Sequence, residues 1–230
     1  MVQDKEKQKE MKRWLITLVW TIVPLLLWAQ HPVIKIGGGW ASHYGGSTRY
    51  IGALKLGAGY EVEIGGYWSV EPGVYYMAKG WKDRDRQVFV YDEDGNVVLD
   101  EEGRPMTGFM NVTSNTNYVE IPVLINYYVP LASVHYLSFS AGPYVAWGVG
   151  GKAKTSGDTE QTGAARFYYE HPTFSQPDMR RFDAGVTAAI GYEIGRQWAA
   201  AVTGDFGLAN VSRSGAKNVA FMLQVAYKFR

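Results

Sequence analysis

The chain has 230 residues, no cysteine, 27 glycines and a net charge of +1 from 23 basic and 22 acidic side chains. The lack of cysteine excludes disulfides, thiolate metal sites and thiol nucleophiles, and the balanced charge predicts no nucleic-acid partner. Abundant glycine at an ordinary charge content argues against a helical membrane bundle and against a disordered chain, which leaves an ordered, β-rich protein.

An apolar, uncharged stretch occupies residues 14–28 and follows Lys12 and Arg13. It is too short for a membrane-spanning helix, which needs about 20 apolar residues, and it contains Pro24. A short apolar stretch behind basic residues is typical of a secretory signal peptide.

We therefore predict that residues 1–29 are a signal peptide cleaved after Ala29 and that residues 30–230 form the mature domain. The polar run before Met11 is unusual for a signal peptide, which makes Met11 a candidate for the true start. An uncleaved anchor helix is the alternative.

Past residue 29, apolar residues alternate with small or polar ones, and this period of two predicts β-strands. Between Phe182 and Ile194, for example, apolar residues occupy the even positions, and Asp, Gly, Thr, Ala and Glu occupy the odd ones. We predict eight strands, at about residues 33–44, 50–62, 67–81, 117–129, 134–149, 180–194, 197–208 and 217–229.

The two faces of these strands decide the kind of sheet. Long strands in even number, with one continuous apolar face and one small or charged face, are typical of an outer-membrane barrel. A sheet in hydrocarbon must close on itself, because every backbone group needs a hydrogen-bond partner there. The predicted fold is therefore an all-β, closed, eight-stranded antiparallel up-and-down transmembrane β-barrel. A soluble barrel such as a lipocalin would show the reverse pattern, with apolar residues inside.

The predicted connections alternate in length, as expected for short periplasmic turns and longer extracellular loops. Short connections lie at residues 63–67, 130–133 and 195–197, and longer ones at 45–49, 82–116, 150–179 and 209–216. Tryptophans near the strand ends predict two aromatic belts, with Trp40, Trp81 and Trp147 at the outer level and Trp68 and Trp198 at the inner level.

Ten charged residues on the small-or-polar face define the predicted interior network. They are Lys35, Lys55, Glu61, Glu71, Lys79, Glu120, Asp183, Glu193, Asp205 and Lys228. Side chains just fill an eight-stranded lumen, and buried charges are tolerated only when paired, so we predict interior ion pairs rather than an open water column. Glycines on the same face would give the long side chains room. A catalytic carboxylate pair or a proton path is the alternative.

Several short motifs follow one another along the predicted strands. They are Ser69–Gly80, Asn117–Pro122, Ala141–Tyr144, Arg181–Gly185, Gly191–Glu193, Asp205–Asn210 and Val225–Phe229. In this order they resemble the outer membrane protein β-barrel family often called porin family or PorT-like. Arg230 departs from the pattern, because many such barrels end on phenylalanine.

The resemblance implies a closed eight-stranded barrel in the outer membrane of a gram-negative bacterium. Most members of the family have no established activity, and some resemble an accessory component of a protein-secretion apparatus. The family therefore indicates architecture more firmly than function.

Candidate catalytic residues are few. The histidines are His31, His43, His135 and His171, and they lack the short spacing of a metal site. His43 beside Ser42 or Ser47 is the one candidate for a base and nucleophile at the outer rim. The alternative is a solvated loop histidine.

Residues 92–96 resemble the start of a calcium loop, but the glycine falls one place early and Gly103 occupies the position of the final glutamate. We therefore predict that the protein is not an enzyme and needs no cofactor or metal.

The longest connection, 82–116, carries eight acidic and four basic residues. Apolar runs at 88–91 and 97–99 flank a Gly-Asn turn and predict an outward hairpin ribbon. The ribbon could contact a basic protein or, through divalent cations, anionic surface lipid; a merely solvated ribbon is the alternative.

The sequence thus predicts a non-enzymatic barrel with a filled lumen that acts as a structural or accessory membrane component through its extracellular loops. Expected partners are outer-membrane lipid, the barrel-assembly machinery during insertion, and proteins that contact 82–116. The alternatives are a PorT-like secretion accessory, a narrow pore for small solutes and a surface lipid-modifying enzyme.

Overall fold

The computed structural model describes residues 30–44, 48–90, 94, 96–158 and 167–230. The predicted signal peptide and Ser47 lie outside these residues. The ten strands are β1 (Gln30–Tyr44), β2 (Ile51–Gly65), β3 (Trp68–Phe89), β4 (Thr107–Ala132), β5 (His135–Gly150), β6 (Lys152–Asp158), β7 (Phe167–Pro172), β8 (Phe182–Ile194), β9 (Trp198–Gly207) and β10 (Lys217–Lys228). Within the described ranges, no helix has the length and apolar character to cross a membrane.

Eight of the strands close into a ring. Neighbours are antiparallel in the order β1, β2, β3, β4, β5, β8, β9 and β10, and β10 returns to pair with β1. This closing ladder runs from Val33 opposite Lys228 to Tyr44 opposite Lys217. The predicted closed, eight-stranded antiparallel barrel is confirmed, and its strands follow chain order except where β6 and β7 are inserted.

The outer surface of the ring is apolar. Ile125 on β4 is 50% exposed and Leu223 on β10 is 68% exposed, whereas Glu120 on β4 is fully buried. Successive side chains of a strand point to opposite faces of a sheet. The charged positions therefore face inward and the aliphatic ones face outward, which is the reverse of a soluble barrel.

The two ends of the barrel differ in their connections. At the short-turn end, β2 and β3 are joined through Gly65 and Gly66, whose φ angles of +128° and +58° suit glycine in a tight turn. The β4–β5 and β8–β9 turns lie at this end, together with the start of β1 and the end of β10. The ends of β1, β3, β5 and β9 and the starts of β2, β4, β8 and β10 lie at the opposite, long-loop end.

Exposed tryptophans lie at both rims of the apolar band. Trp40 and Trp147 lie toward the long-loop end, and Trp68 and Trp198 lie toward the short-turn end. Large amphipathic rings at these levels suit the two interfaces of a membrane.

Trp81 does not belong to the outer belt, contrary to the prediction. It is paired with Ser114, which is buried, and its ring lies 5.5 Å from that of His43. Trp81 follows Lys79 by two residues on β3, so the strand alternation places both side chains on the inward face.

Beyond the long-loop end, β3 and β4 continue as a projecting sheet. β3 has 22 residues and β4 has 26, and their ladder extends to Phe89 opposite Thr107. β6 pairs with Phe109–Ser114 of β4, and β7 pairs with β6. The projecting sheet therefore consists of the outer parts of β3 and β4 together with β6 and β7.

The expectation that 82–116 and 150–179 are connections was wrong for much of their length, because both contribute strands to this sheet. The predicted hairpin between 88–91 and 97–99 is present in part: the Val98 N–H donates to the Val90 carbonyl, at 2.9 Å. The longer ribbon is the continuation of β3 and β4.

A strap, residues 173–181, closes over the long-loop end of the lumen. The Phe174 ring packs edge-on against Tyr118 at 5.7 Å, in space that a side chain at Gly148 would occupy. Further along, the Arg180 N–H donates to the Val211 carbonyl at 2.9 Å. The strap is therefore held by the barrel wall and by the β9–β10 loop.

We predict that Gly57→Ala lowers barrel stability by about 1–3 kcal/mol, because overpacking a close-packed wall has a cost of that size. A Cβ at Gly57 would overlap the backbone and ring of Tyr75, which lies inside the lumen. Gly52→Ala is the matched control, because a Cβ there meets nothing within 4 Å. Urea unfolding in detergent micelles measures both, and equal midpoints for the two variants would contradict the prediction.

Candidate functional site: the lumen and the projecting sheet

The barrel wall directs all ten residues of the interior network into the lumen. Nine are buried, and the Lys35 side chain is 15% exposed. They come from seven of the eight strands of the ring, so the network exists only when the barrel is closed. The structure brings them together as four separate groups.

The first group lies toward the short-turn end and centres on Lys228. Its ammonium lies 3.0 Å from Glu61 and 2.8 Å from Glu193. Tyr128 donates to Glu61 at 2.5 Å, and the Ser69 hydroxyl donates to the same oxygen at 2.8 Å. The carboxylate of Glu61 is thus surrounded by donors from three strands.

Arginines extend this group to the rim. Arg196 lies 3.3 Å from Glu63 and 4.0 Å from Glu61, and Arg230 lies 3.0 Å from Glu63. The Arg196 guanidinium also lies 4.8 Å from the centre of the Tyr128 ring. These contacts close the short-turn end of the lumen.

The second and third groups lie at mid-depth. Lys55 contacts Glu120 at 2.5 Å and Asp205 at 3.0 Å. Lys35 contacts Glu71 at 2.5 Å, and the Tyr75 hydroxyl donates to Glu71 at 3.1 Å. Each lysine crosses from one wall segment to another, so the ion pairs act as struts across the lumen.

The fourth group lies toward the long-loop end. Lys79 contacts Asp183 at 2.7 Å, and the Asn218 amide donates to the same carboxylate at 2.7 Å. The Lys79 ammonium also lies 4.7 Å and 5.3 Å from the ring centres of Tyr118 and Tyr144. Two aromatic faces and a carboxylate therefore compensate one buried cation.

A small cavity remains at mid-depth. It has a volume of about 50 Å³ and lies among Lys35, Glu71, Glu193 and Lys228, with small residues of β5, β8 and β9 on its other side. Since a water molecule needs roughly 10–15 Å³ measured in this way, the cavity has room for only a few waters. It is too small for a nutrient-sized solute.

Tyrosines outside the predicted charged network fill much of the remaining lumen. They are Tyr75, Tyr118, Tyr128 and Tyr144, each at most 2% exposed. The strand alternation could have found them, because Tyr118 precedes Glu120 by two residues and so shares its inward face. The interior glycines were predicted to give room to long charged side chains. Gly57 and Gly185 also make room for tyrosine rings.

The candidate nucleophile and base do not come together among the described residues. The Ser42 hydroxyl lies 3.1 Å from the Thr48 hydroxyl, at hydrogen-bond distance, while His43 turns into the lumen beside Trp81. Within the part of the chain that the structure describes, no cluster of three or more His, Asp or Glu is arranged to hold a metal ion. Of the calcium-like segment, Asp92, Glu93 and Gly95 lie outside the described residues.

The tip of the projecting sheet contains a tight acidic turn. The Arg104 backbone N–H donates to the Asp100 carboxylate at 2.8 Å and holds the pKa of that group below its usual range. The Arg104 side chain contacts Asp100 and Glu102. These contacts join the two ends of the turn.

We predict that Lys79→Met destabilises the barrel by about 3–5 kcal/mol, because it leaves Asp183 as an uncompensated buried charge. Asp183→Asn in the same chain should restore much of the loss, since both charges are then absent. Urea unfolding in micelles, followed by tryptophan fluorescence, gives the three values.

Arg104→Met is the control for Lys79→Met, because it breaks an exposed ion pair at the tip and should leave the unfolding midpoint unchanged. If Lys79→Met behaved like this control, or if Asp183→Asn added to the damage, the ion pair would not be a determinant of stability.

A family described as outer membrane protein beta-barrel domain matches residues 43–213. Among curated proteins, none matches the sequence significantly.

The solved structures that resemble this one are outer-membrane barrels. The Ail attachment invasion locus protein of Yersinia pestis is 10% identical, with 87% of this chain and 97% of that chain covered and a TM-score of 0.39. Neisserial surface protein A is 11% identical, with the same coverage and a TM-score of 0.40. The N-terminal barrel of Pseudomonas aeruginosa OprF is 10% identical, with 86% and 97% covered and a TM-score of 0.32.

Proposed function

The chain belongs to the outer membrane protein β-barrel family, and from that premise we propose that it is a non-enzymatic outer-membrane component that binds a partner protein through its projecting sheet. In this proposal the barrel is a support anchored in lipid. The observation that carries the proposal is the filled lumen beneath a sheet that extends past the end of the barrel. Four ion-paired groups occupy the interior, and the strap covers its long-loop end.

The chemistry of the tip indicates the kind of partner. Residues 90–106 carry six acidic residues and one basic residue. Apolar side chains lie among them or just below, with Leu99 55% exposed, Phe89 52% exposed and Phe109 45% exposed. Aromatic and aliphatic anchors beside charge of one sign suit a protein surface that is basic around an apolar centre.

The resemblance in the sequence suggests a specific form of this function, namely a PorT-like accessory barrel of a secretion apparatus. In that case the partner is a subunit of the apparatus. The barrel-assembly machinery is a second proposed partner, needed during insertion, when β10 with Phe229 and Arg230 would be the segment presented to it.

We predict that a photo-crosslinking amino acid at Leu99 gives a specific protein adduct in intact cells, because this side chain is exposed at the tip. The same probe at Leu208, 61% exposed in the β9–β10 loop, is the control and should give none. Equal adducts from both positions, or none from Leu99, would contradict partner binding by the tip.

A second variant tests the same surface without disturbing the barrel. Phe89 and Thr107 are directly paired, so a two-residue Asn-Gly turn can replace residues 90–106 and leave the β3–β4 ladder and the β6 pairing intact. The crosslinking amino acid is placed at Phe109, which lies outside the replaced segment. If the tip supplies the main contacts, the turn variant should give at least severalfold fewer adducts from this position than the full-length chain.

A narrow pore for small solutes is the competing function, and the mid-depth cavity is the observation in its favour. We predict that the protein in planar bilayers gives no stable, solute-permeable channel, because the cavity holds only a few waters and ion pairs lie on both sides of it. Single-channel recording measures this. A reproducible conductance that passes small sugars would contradict the filled-lumen proposal.

A further inference from the structure

An open groove lies on the outward surface of the molecule where the barrel meets the projecting sheet. It has a volume of about 580 Å³, and Gly52, Ala78, Asn115, Asn117, Lys152 and Lys154 line it. Lys79, whose side chain is buried in the lumen, also borders the groove. The groove is separate from the acidic tip.

The position of the groove relative to the membrane follows from β4. Its outward side chains toward the short-turn end are Ile121 and Val119, both exposed and apolar, and Val119 is paired with Trp147 of the aromatic belt. Asn117 and Asn115 come next on the same face. The change from aliphatic to amide side chains places the groove at the level of the lipid headgroups.

The register extends the basic character across the sheet. Thr113 is paired with Lys82 on one side and with Lys154 on the other, and Lys82 is also paired with Arg49. Directly paired residues project from the same face of a sheet. Arg49, Lys82 and Lys154 therefore form one row just above the amides, and Lys152 lies beside it.

A carboxylate contacts two of these cations. Glu170 on β7 lies 2.6 Å from Lys152 and 3.6 Å from Lys154. The lysine side chains stay open to solvent, at 68% and 47% exposure. The groove and the row above it thus carry four basic side chains, although the sheet tip above them is acidic.

We propose that this groove binds the phosphate groups of an anionic glycolipid of the outer leaflet. Lysine ammonium groups supply charge-assisted contacts to phosphate oxygens, and the asparagine amides supply further donors. The apolar surface directly below accommodates the acyl chains of the same molecule. A lipid fits better than a free anion, because the groove adjoins the hydrocarbon level and continues into it. The proposal does not depend on partner binding by the tip.

The test measures binding of a bisphosphorylated lipid A to the purified barrel in micelles, by native mass spectrometry in buffer containing EDTA. The double variant K152Q/K154Q should bind it about 10- to 30-fold more weakly, since each basic residue near an anionic surface contributes a several-fold factor. E170Q should bind it more tightly than the unmodified protein, because Glu170 competes for both lysines.

R104Q/R213Q is the matched control, because it removes two positive charges from other long-loop positions and should leave binding unchanged. A heat-modifiability gel confirms that every variant is folded. Unchanged binding by K152Q/K154Q would overturn the proposal, and so would equal affinity for the dephosphorylated lipid. Competition by inorganic phosphate at equimolar concentration would identify a free-anion site and would overturn the assignment to lipid.

Discussion

The whole molecule depends on one requirement, that each backbone N–H and C=O in hydrocarbon finds a partner within the protein. The ladder between β1 and β10 meets that requirement by joining the first and last strands of the chain. Closure at eight strands then leaves a lumen only as wide as a layer of side chains. The outward side chains contact lipid and are apolar, so glycine, tyrosine and the charged residues occupy the inward positions. Because the lumen holds little water to solvate the inward charges, these charges form ion pairs.

The barrel could be predicted well from the sequence, because each strand that touches lipid on one side and the lumen on the other has a strict alternation. Glu120 between Val119 and Ile121 is an example: the aliphatic neighbours face lipid, and the charge must face inward. The same alternation placed all ten charged residues of the interior network on the inward face. Their partners could not be predicted, since Lys79 and Asp183 are 104 residues apart in sequence and only the closed ring brings them together.

The projecting sheet could not be predicted in the same way. Above the membrane both faces of a sheet contact water, so residues 82–89 and 107–116 carry charges and amides on both sides and show no apolar period. β6 and β7 are strands because β6 pairs with the edge of β4 beyond the ring. The local sequence of β6 and β7 gives no sign of this edge. Trp81 is a different case: aromatic belts are common at strand ends, but the two-residue step from Lys79 already required an inward ring.

β4 takes part in both the barrel and the projecting sheet, and its 26 residues run without a break between the two. At roughly 3.4 Å per residue, its backbone is on the order of 90 Å long, about three times the thickness of the hydrocarbon layer. At the membrane surface β4 stays paired with β3, from Glu120 opposite Tyr75 to Val112 opposite Asp83, and this ladder limits its freedom to bend. A pull on the outer end of β4 would therefore act as shear along the hydrogen-bond ladders of the barrel wall. Many hydrogen bonds resist such a shear at the same time. A partner bound at the tip, as proposed above, would be held at a fixed height and orientation above the membrane.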